Sequence, residues 1–279
     1  DVCSSDLAAQ IDAISCKAFR IGLGPFGLMN LTGPPIALHS TDYLAEQLNA
    51  PRYNGAQNLR ELVENNAMWP IEDESEYTQE QYTTVSERLL GVVFGVAAQI
   101  VEEDICSMED VDRGAKVGLR WARGPFEMMN RIGVAEAYRM ASAYQSLAGD
   151  AWALPSFFKD QSDAGTNWDF SYVDSSTEDG IATITINRPE AMNALNEVVV
   201  AQLTEAVQAA NADSNVTTIV LDGAGKAFVA GADVKFFVDK IRSDDIPDIE
   251  TFTENGHVLL AALEDSNKTT IALTTGLAL

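Results

Sequence analysis

The strongest constraint on how this chain can fold is an internal repeat. Residues 11–37 align without a gap on residues 111–137, and nine of the 27 positions are identical. The identities are Asp12/Asp112, Arg20/Arg120, Gly24/Gly124, Pro25/Pro125, Phe26/Phe126, Met29/Met129, Asn30/Asn130, Gly33/Gly133 and Ala37/Ala137. Two copies do not make a solenoid array, so the repeat reads as a tandem duplication. Each copy has helical grammar. Asp110-Val111-Asp112 places acids at the positive end of a helix. Gly24-Pro25 and Gly124-Pro125 end one helix and start the next, with Pro in its first turn. Phe126, Met129 and then Ile132 or Gly133 recur at the spacing of a buried helix face, which predicts core rather than a cofactor box. Ser86 to Ile105 predicts a long apolar helix leading into the second copy.

After this the pattern changes. From Gly149 to Asn167 apolar periodicity fades, and Ser162-Asp163-Ala164-Gly165-Thr166-Asn167 has loop chemistry. Beyond it, Phe170 to Val173 and Ile181 to Ile186 predict strands, joined by a hairpin signal at Glu178-Asp179-Gly180. Helices are predicted at Leu195–Asn211 and Ile246–Glu264, and strands at Thr217–Leu221 and Thr270–Thr274. Alternating strands and helices imply an α/β unit with right-handed crossovers. The predicted organisation is multidomain: residues 8–79 and 80–160 are two all-α repeats, 161–169 a linker, and 170–279 an α/β domain. Asp1 to Leu7 reads as a non-biological, adapter-derived tail. The chain stops in apolar sequence at Gly276–Leu279, and both ends predict a fragment of a longer protein.

Composition excludes several functions. A formal net charge of −24 argues against nucleic acid or an anionic membrane as partner. It fits either a salt-adapted cytoplasm or a plain acidic surface. No apolar run approaches the roughly 20 residues that span a bilayer. Cys3, Cys16 and Cys106 lack metal-ligand spacing, and an odd, sparse set favours a reducing cytoplasm. With only His39 and His257, a Ser-His-Asp site or a His-rich metal site is not expected; both read as helix residues, and no metal is expected. Within Lys226–Lys235, KAFVAGADVK, small side chains let a ligand approach the backbone, where an N–H can stabilise an oxyanion; on spacing alone a bare strand-to-helix connection is the better reading, because short Gly/Ala patterns are common.

Two resemblances extend this reading. Arg123 to Gly133, RGPFEMMNRIG, preceded by Met108-Glu109-Asp110-Val111-Asp112, resembles the C-terminal helical domain of 3-hydroxyacyl-CoA dehydrogenases. The first copy keeps Gly24-Pro25-Phe26 but has Gly27 where the acid stands in the second. The resemblance covers roughly 8–155. It implies a domain that builds a dimer interface and closes over acyl-CoA, the two repeats packing on each other. NAD chemistry would belong to a Rossmann domain that this chain lacks. Gly22-Leu23-Gly24-Pro25 is only a look-alike of its glycine loop, and reads as a helix junction. The second half resembles the enoyl-CoA hydratase/isomerase (crotonase) superfamily through Asn187–Asn196 (NRPEAMNALN), Gly225–Lys235 (GKAFVAGADVK) and Asn267–Leu279 (NKTTIALTTGLAL). Thr269 and Thr275 depart from that pattern.

These resemblances imply roles residue by residue. Ala232 matches the position whose backbone N–H is the first oxyanion donor. Ala230, Gly231, Asp233 and Val234 match the wall that binds CoA and the thioester. Lys235 matches a position that can face CoA phosphates or stay solvated. Glu190, Ala191 and Ala194 match the early CoA-contacting loop. A second donor and the catalytic glutamates would lie past Leu279; Asp233 and Glu264 read as ordinary charges. The expected fold is a duplicated all-α dehydrogenase-type domain followed by a truncated α/β crotonase domain. The expected parent is a cytoplasmic bifunctional enzyme that hydrates trans-2-enoyl-CoA and oxidises the 3-hydroxyacyl-CoA with NAD, oligomerising through its crotonase domain. The 279-residue chain itself is expected to turn over neither reaction. The alternatives are an isomerase or other crotonase-superfamily enzyme, and a non-catalytic helical assembly module.

Overall fold

The computed structural model describes residues 4–71, 76–148 and 152–279, which divide into two compact units, Asp1–Asp169 and Phe170–Leu279. Part of the proposed tail, Asp1–Cys3, lies outside the described residues; Ser4 already belongs to a helix. Among the described residues the first unit has helices and no strand. They are α1 (Ser4–Phe19), α2 (Pro25–Thr32), α3 (Pro34–Gln47), α4 (Gln57–Glu64), α5 (Gln79–Glu102), α6 (Met108–Gly118), α7 (Pro125–Ile132), α8 (Val134–Ala148) and α9 (Ser156–Ala164).

The repeated residues build the same joint twice. Asp12 on α1 accepts the backbone N–H groups of Phe26 (2.8 Å) and Gly27 (2.7 Å) at the start of α2. Asp112 on α6 accepts those of Phe126 (2.8 Å) and Glu127 (2.9 Å) at the start of α7. A helix start has N–H groups without intrahelical partners, and each carboxylate satisfies two of them. The preceding glycine is required: a Cβ on Gly24 would lie 2.4 Å from Asp12 Cγ, and one on Gly124 2.1 Å from Asp112 Cγ. A second clamp recurs too. Asn30 exchanges two hydrogen bonds of 2.8 Å with the backbone of Trp69. Asn130 does the same with Trp168, at 2.9 and 2.7 Å. The tryptophans stand 99 positions apart, where the aligned residues stand 100 apart, so an ungapped comparison does not pair them.

The two aligned segments differ in burial. In the second, Phe126 and Met129 are fully buried together with Phe158 and Phe94, whereas Ile132, expected on the same face, is 39% exposed. In the first, Leu28, Leu31 and Ile36 are exposed. Helix α5 starts at a Thr78–Gln81 capping box, earlier than the apolar run suggests. It is long and apolar enough to cross a membrane by length and composition, contrary to the expectation that no such run exists. Here it packs on α8, and Gly91 lets the two backbones meet: a Cβ there would lie 2.4 Å from the Met140 carbonyl. The stretch expected to be loop also needs correction. Ser156–Ala164 is helical, and Phe158 and Trp168 are buried, with the Trp168 ring against both Phe126 and Phe158. The buried anchors are too far apart in sequence to make a periodic signal.

The second unit is a four-stranded sheet in the order β1 (Val173–Glu178), β2 (Ile181–Ile186), β3 (Thr218–Gly223) and β5 (Thr269–Ala272), and a two-stranded ladder of β4 (Ala227–Val229) and β6 (Leu277–Ala278). β1 and β2 pair antiparallel across a tight turn, with Asp179 at φ 50° and Gly180 at φ 79°; the other ladders are parallel. The first strand starts at Val173, not at Phe170, because the Gln202 side chain takes the Tyr172 N–H (2.8 Å) and the Phe170 carbonyl (2.6 Å). Ala182, Ile184 and Ile186 alternate inward from β2 onto Val199, Leu203 and Val207 of α10 (Glu197–Ala212), which form the core with Ile219. Two helices follow β4, α11 (Val234–Arg242) and α12 (Ile246–Glu264), joined through Phe236, Phe237 and Phe252. β4, of three residues, and α11, of nine, are too short to stand out in the sequence. His39 and His257 lie in α3 and α12, as expected of helix residues.

Candidate functional site

Three loops meet at one end of the second unit's sheet. The first, residues 187–196, leaves β2, makes a 3₁₀ turn at Pro189–Ala191, and passes through two consecutive left-handed residues, Met192 (φ 54°) and Asn193 (φ 56°). That conformation is costly except for residues such as Asn, and Asn193 is fully buried. Its side chain accepts the Arg188 N–H (2.9 Å) and donates to the carbonyls of Ala224 (2.9 Å) and Ala227 (2.8 Å). Asn193 therefore pins the first loop to the second, which joins β3 to β4. Asn196 closes the first loop by capping α10 through the Val199 N–H (3.0 Å).

The third loop runs from Ala230 through Gly231 (φ 81°) to Asp233. It lies alongside the first loop in a short parallel bridge centred on Leu195 and Ala232. Ala230 N–H donates to Met192 (3.1 Å), Leu195 N–H to Gly231 (2.9 Å), and Asp233 N–H to Leu195 (2.8 Å). In this alternation the groups of Gly231 and Asp233 face the first loop, so Ala232 turns its own N–H the other way. Among the described residues that N–H has no hydrogen-bond partner, and Ala232 is exposed.

Charge is arranged around this turn. Arg188 Nη1 donates to Asp233 Oδ2 at 2.8 Å and to the Ala194 carbonyl at 3.1 Å, and both side chains of the ion pair are 16% exposed. Lys235, in the first turn of α11, lines an open hollow of about 300 Å³ with Asn196, Glu197, Asp233, Phe236 and Lys240. Lys240 is held by Asp245 and Asp248; the Asp248 contact raises its pKa and keeps it charged. Of the residues expected at the site, Ala194, Ala230, Gly231, Ala232, Asp233, Val234 and Lys235 fall on the two bridged segments and the start of α11. Glu190 and Ala191 sit on the 3₁₀ turn further back in the first loop. Arg188 and Asn193, which hold the arrangement, lie within the Asn187–Asn196 motif but were not expected as site residues.

Residues 181–279 match the family model for enoyl-CoA hydratase/isomerase, and residues 85–167 match that for the 3-hydroxyacyl-CoA dehydrogenase C-terminal domain. The chain thus carries one segment similar to each of these two families. A protein described as a probable enoyl-CoA hydratase of Rhizobium meliloti is 51% identical over 59 residues, 21% of this chain and 23% of its own. The crotonyl-CoA hydratase of Syntrophomonas wolfei is 36% identical over 103 residues, 37% of this chain and 38% of its own. The 1,2-epoxyphenylacetyl-CoA isomerase of Escherichia coli is 38% identical over 63 residues, 23% of this chain and 24% of its own. The chain thus spans between 23% and 38% of the length of these relatives.

The dehydrogenase-type segment raises the question of NAD, and the described residues do not fit it. The Gly22-Leu23-Gly24-Pro25 stretch joins α1 to α2 with no strand before it. The N–H groups at the start of α2 that a pyrophosphate would need are taken by Asp12. Among the described residues, no group of three or more His, Cys, Asp or Glu side chains is placed to hold a metal ion. The helical unit does contain an open apolar cleft of about 650 Å³, lined by Phe19, Leu23, Leu28, Val92 and Trp121, with Arg120 beside it.

Proposed function

We propose that the hydratase/isomerase segment binds a trans-2-enoyl-CoA and receives its thioester oxygen on the Ala232 amide. The observation that carries this reading is the Ala232 N–H, left without a partner among the described residues on a turn where the Ala230 N–H, the Gly231 carbonyl and the Asp233 N–H are bonded to the first loop. Addition of a water oxygen to C3 moves the C2–C3 π electrons toward the thioester, placing negative charge on its oxygen; C2 then takes a proton. An N–H fixed in advance toward that oxygen is worth roughly 3 kcal/mol of transition-state stabilisation. Gly231, Asp233 and Val234 would flank the thioester, and Lys235 would meet a CoA phosphate. Glu190, Ala191 and Ala194 would lie along the cofactor's path.

In the same reading the whole protein is a bifunctional, cytoplasmic enzyme, in which the 3-hydroxyacyl-CoA product is next oxidised with NAD, and the helical segments arose by duplication. The twice-built Asp-Gly-Pro joint and Asn–Trp clamp support that duplication. The apolar cleft of the helical unit suits an acyl chain. An isomerase of the same superfamily would use the same amide, since it too forms an enolate; incubation with a 3-enoyl-CoA separates the two by product.

Calorimetric titration of the 279-residue chain with crotonyl-CoA, CoA and free crotonate tests the reading. Crotonyl-CoA is expected to bind more tightly than CoA, and crotonate not at all. Absence of binding by both CoA species overturns it.

A further inference from the structure

We infer that Arg188 is a positioning residue for this site: through its ion pair with Asp233 it sets the direction of the Ala232 amide. The inference rests on the reading of Ala232 as the donor to the thioester oxygen. The bridge between Leu195 and Ala232 is only one pair long, so its own hydrogen bonds fix its direction weakly. Arg188 Nη1 reinforces it from both sides, because Ala194 precedes Leu195 and Asp233 follows Ala232. One nitrogen thus ties together the two segments of the bridge. The guanidinium is itself held, lying over the Tyr172 ring at 5.5 Å. Asp233 is bound at its other oxygen too, where Oδ1 accepts the Lys235 N–H at 3.0 Å. The carboxylate therefore cannot rotate without breaking a bond at one end.

The pair also settles an electrostatic conflict. A bare carboxylate next to Ala232 would repel the negative charge that the amide is to stabilise. An arginine at 2.8 Å cancels that charge where solvent screens it little. The rest of the loop does not depend on the guanidinium. Asn193 anchors the loop to Ala224 and Ala227, and it accepts the backbone N–H of Arg188, not its side chain. Removing the guanidinium should release the turn at 231–233 and leave the sheet and α10 in place.

The test is NMR of the 15N-labelled 279-residue chain titrated with acetoacetyl-CoA, which carries a thioester oxygen, and with CoA, which does not. In the unaltered protein the Ala232 amide proton is expected to move downfield with acetoacetyl-CoA only, while the Lys235 amide responds to both. In Arg188→Met the Ala232 shift should fall by more than half while the chain still binds CoA. Asp233→Asn should act in the same direction, and Arg188→Lys should restore part of the shift, keeping the charge but losing the fork. A full Ala232 shift in Arg188→Met overturns the inference and leaves the role of Ala232 standing. An Ala232 proton that ignores acetoacetyl-CoA in the unaltered protein overturns both. Should Arg188→Met not fold, Asp233→Asn, which keeps an oxygen at the contact, decides between the same two outcomes.

Discussion

The start of α7 and the turn at Ala232 both present backbone N–H groups, and the two places treat them oppositely. At α7 the Phe126 and Glu127 donors meet the carboxylate of Asp112, a side chain that is 2% exposed. At Ala232 the donor meets nothing among the described residues, while its neighbours on either side are bonded to the first loop. A donor satisfied from within the chain is a joint. A donor held in place and left open is a candidate for a ligand. Changes at the first should therefore alter stability, and changes at the second should alter binding.

The largest effects should come from the joint. Asp112→Ala leaves two N–H groups without their acceptor, and Gly124→Ala drives a Cβ into Asp112; each should cost about 2–4 kcal/mol. Asp12→Ala should cost less, since Asp12 is only half-buried. All four tryptophans, Trp69, Trp121, Trp152 and Trp168, lie in the helical unit, so denaturant unfolding followed by tryptophan fluorescence reads that unit alone. Equal losses at Asp12 and Asp112 would break the contrast between the two aligned segments.

A pH effect of comparable origin comes next. Burial outweighs the two backbone hydrogen bonds and raises the pKa of Asp112 to about 6. A carboxyl with a raised folded pKa holds its proton more tightly when folded than when unfolded. Its contribution is fully present below about pH 4 and is lost as pH rises through about 6, a difference of roughly 2–3 kcal/mol. The stability of the helical unit should fall over that window, and the Asp112→Asn protein should lack this slope. A slope that survives the substitution would assign the titration to other groups.

Smaller changes belong to the turn. Arg188→Met should cost the second unit about 1–2 kcal/mol by leaving Asp233 without its partner, read by hydrogen exchange of the β2 amides. Ala232→Ser, at an exposed position, should change stability by less than about 0.5 kcal/mol. A large loss there would make the turn structural and remove the contrast.

Much of this was legible in the sequence because it is local. The Gly-Pro junctions, the acids opening α6, the Asp179-Gly180 turn and the alternation of β2 all follow from residues a few positions apart. The long-range pieces were not. Trp168 is clamped by Asn130 across 38 positions, and its counterpart Trp69 is shifted by one residue from the repeat's register. Arg188 and Asp233 are 45 apart, and nothing in the spacing of either announces the other. Ala232 was marked by resemblance alone, and its open amide follows from a bridge that no periodicity encodes.

A crystal structure of the chain with acetoacetyl-CoA tests the central claim most directly. The account predicts the thioester oxygen at about 2.7–3.1 Å from Ala232 N, on the face of the turn opposite Leu195. A bound ligand whose thioester oxygen lies elsewhere, with the Ala232 N–H facing solvent, would contradict it.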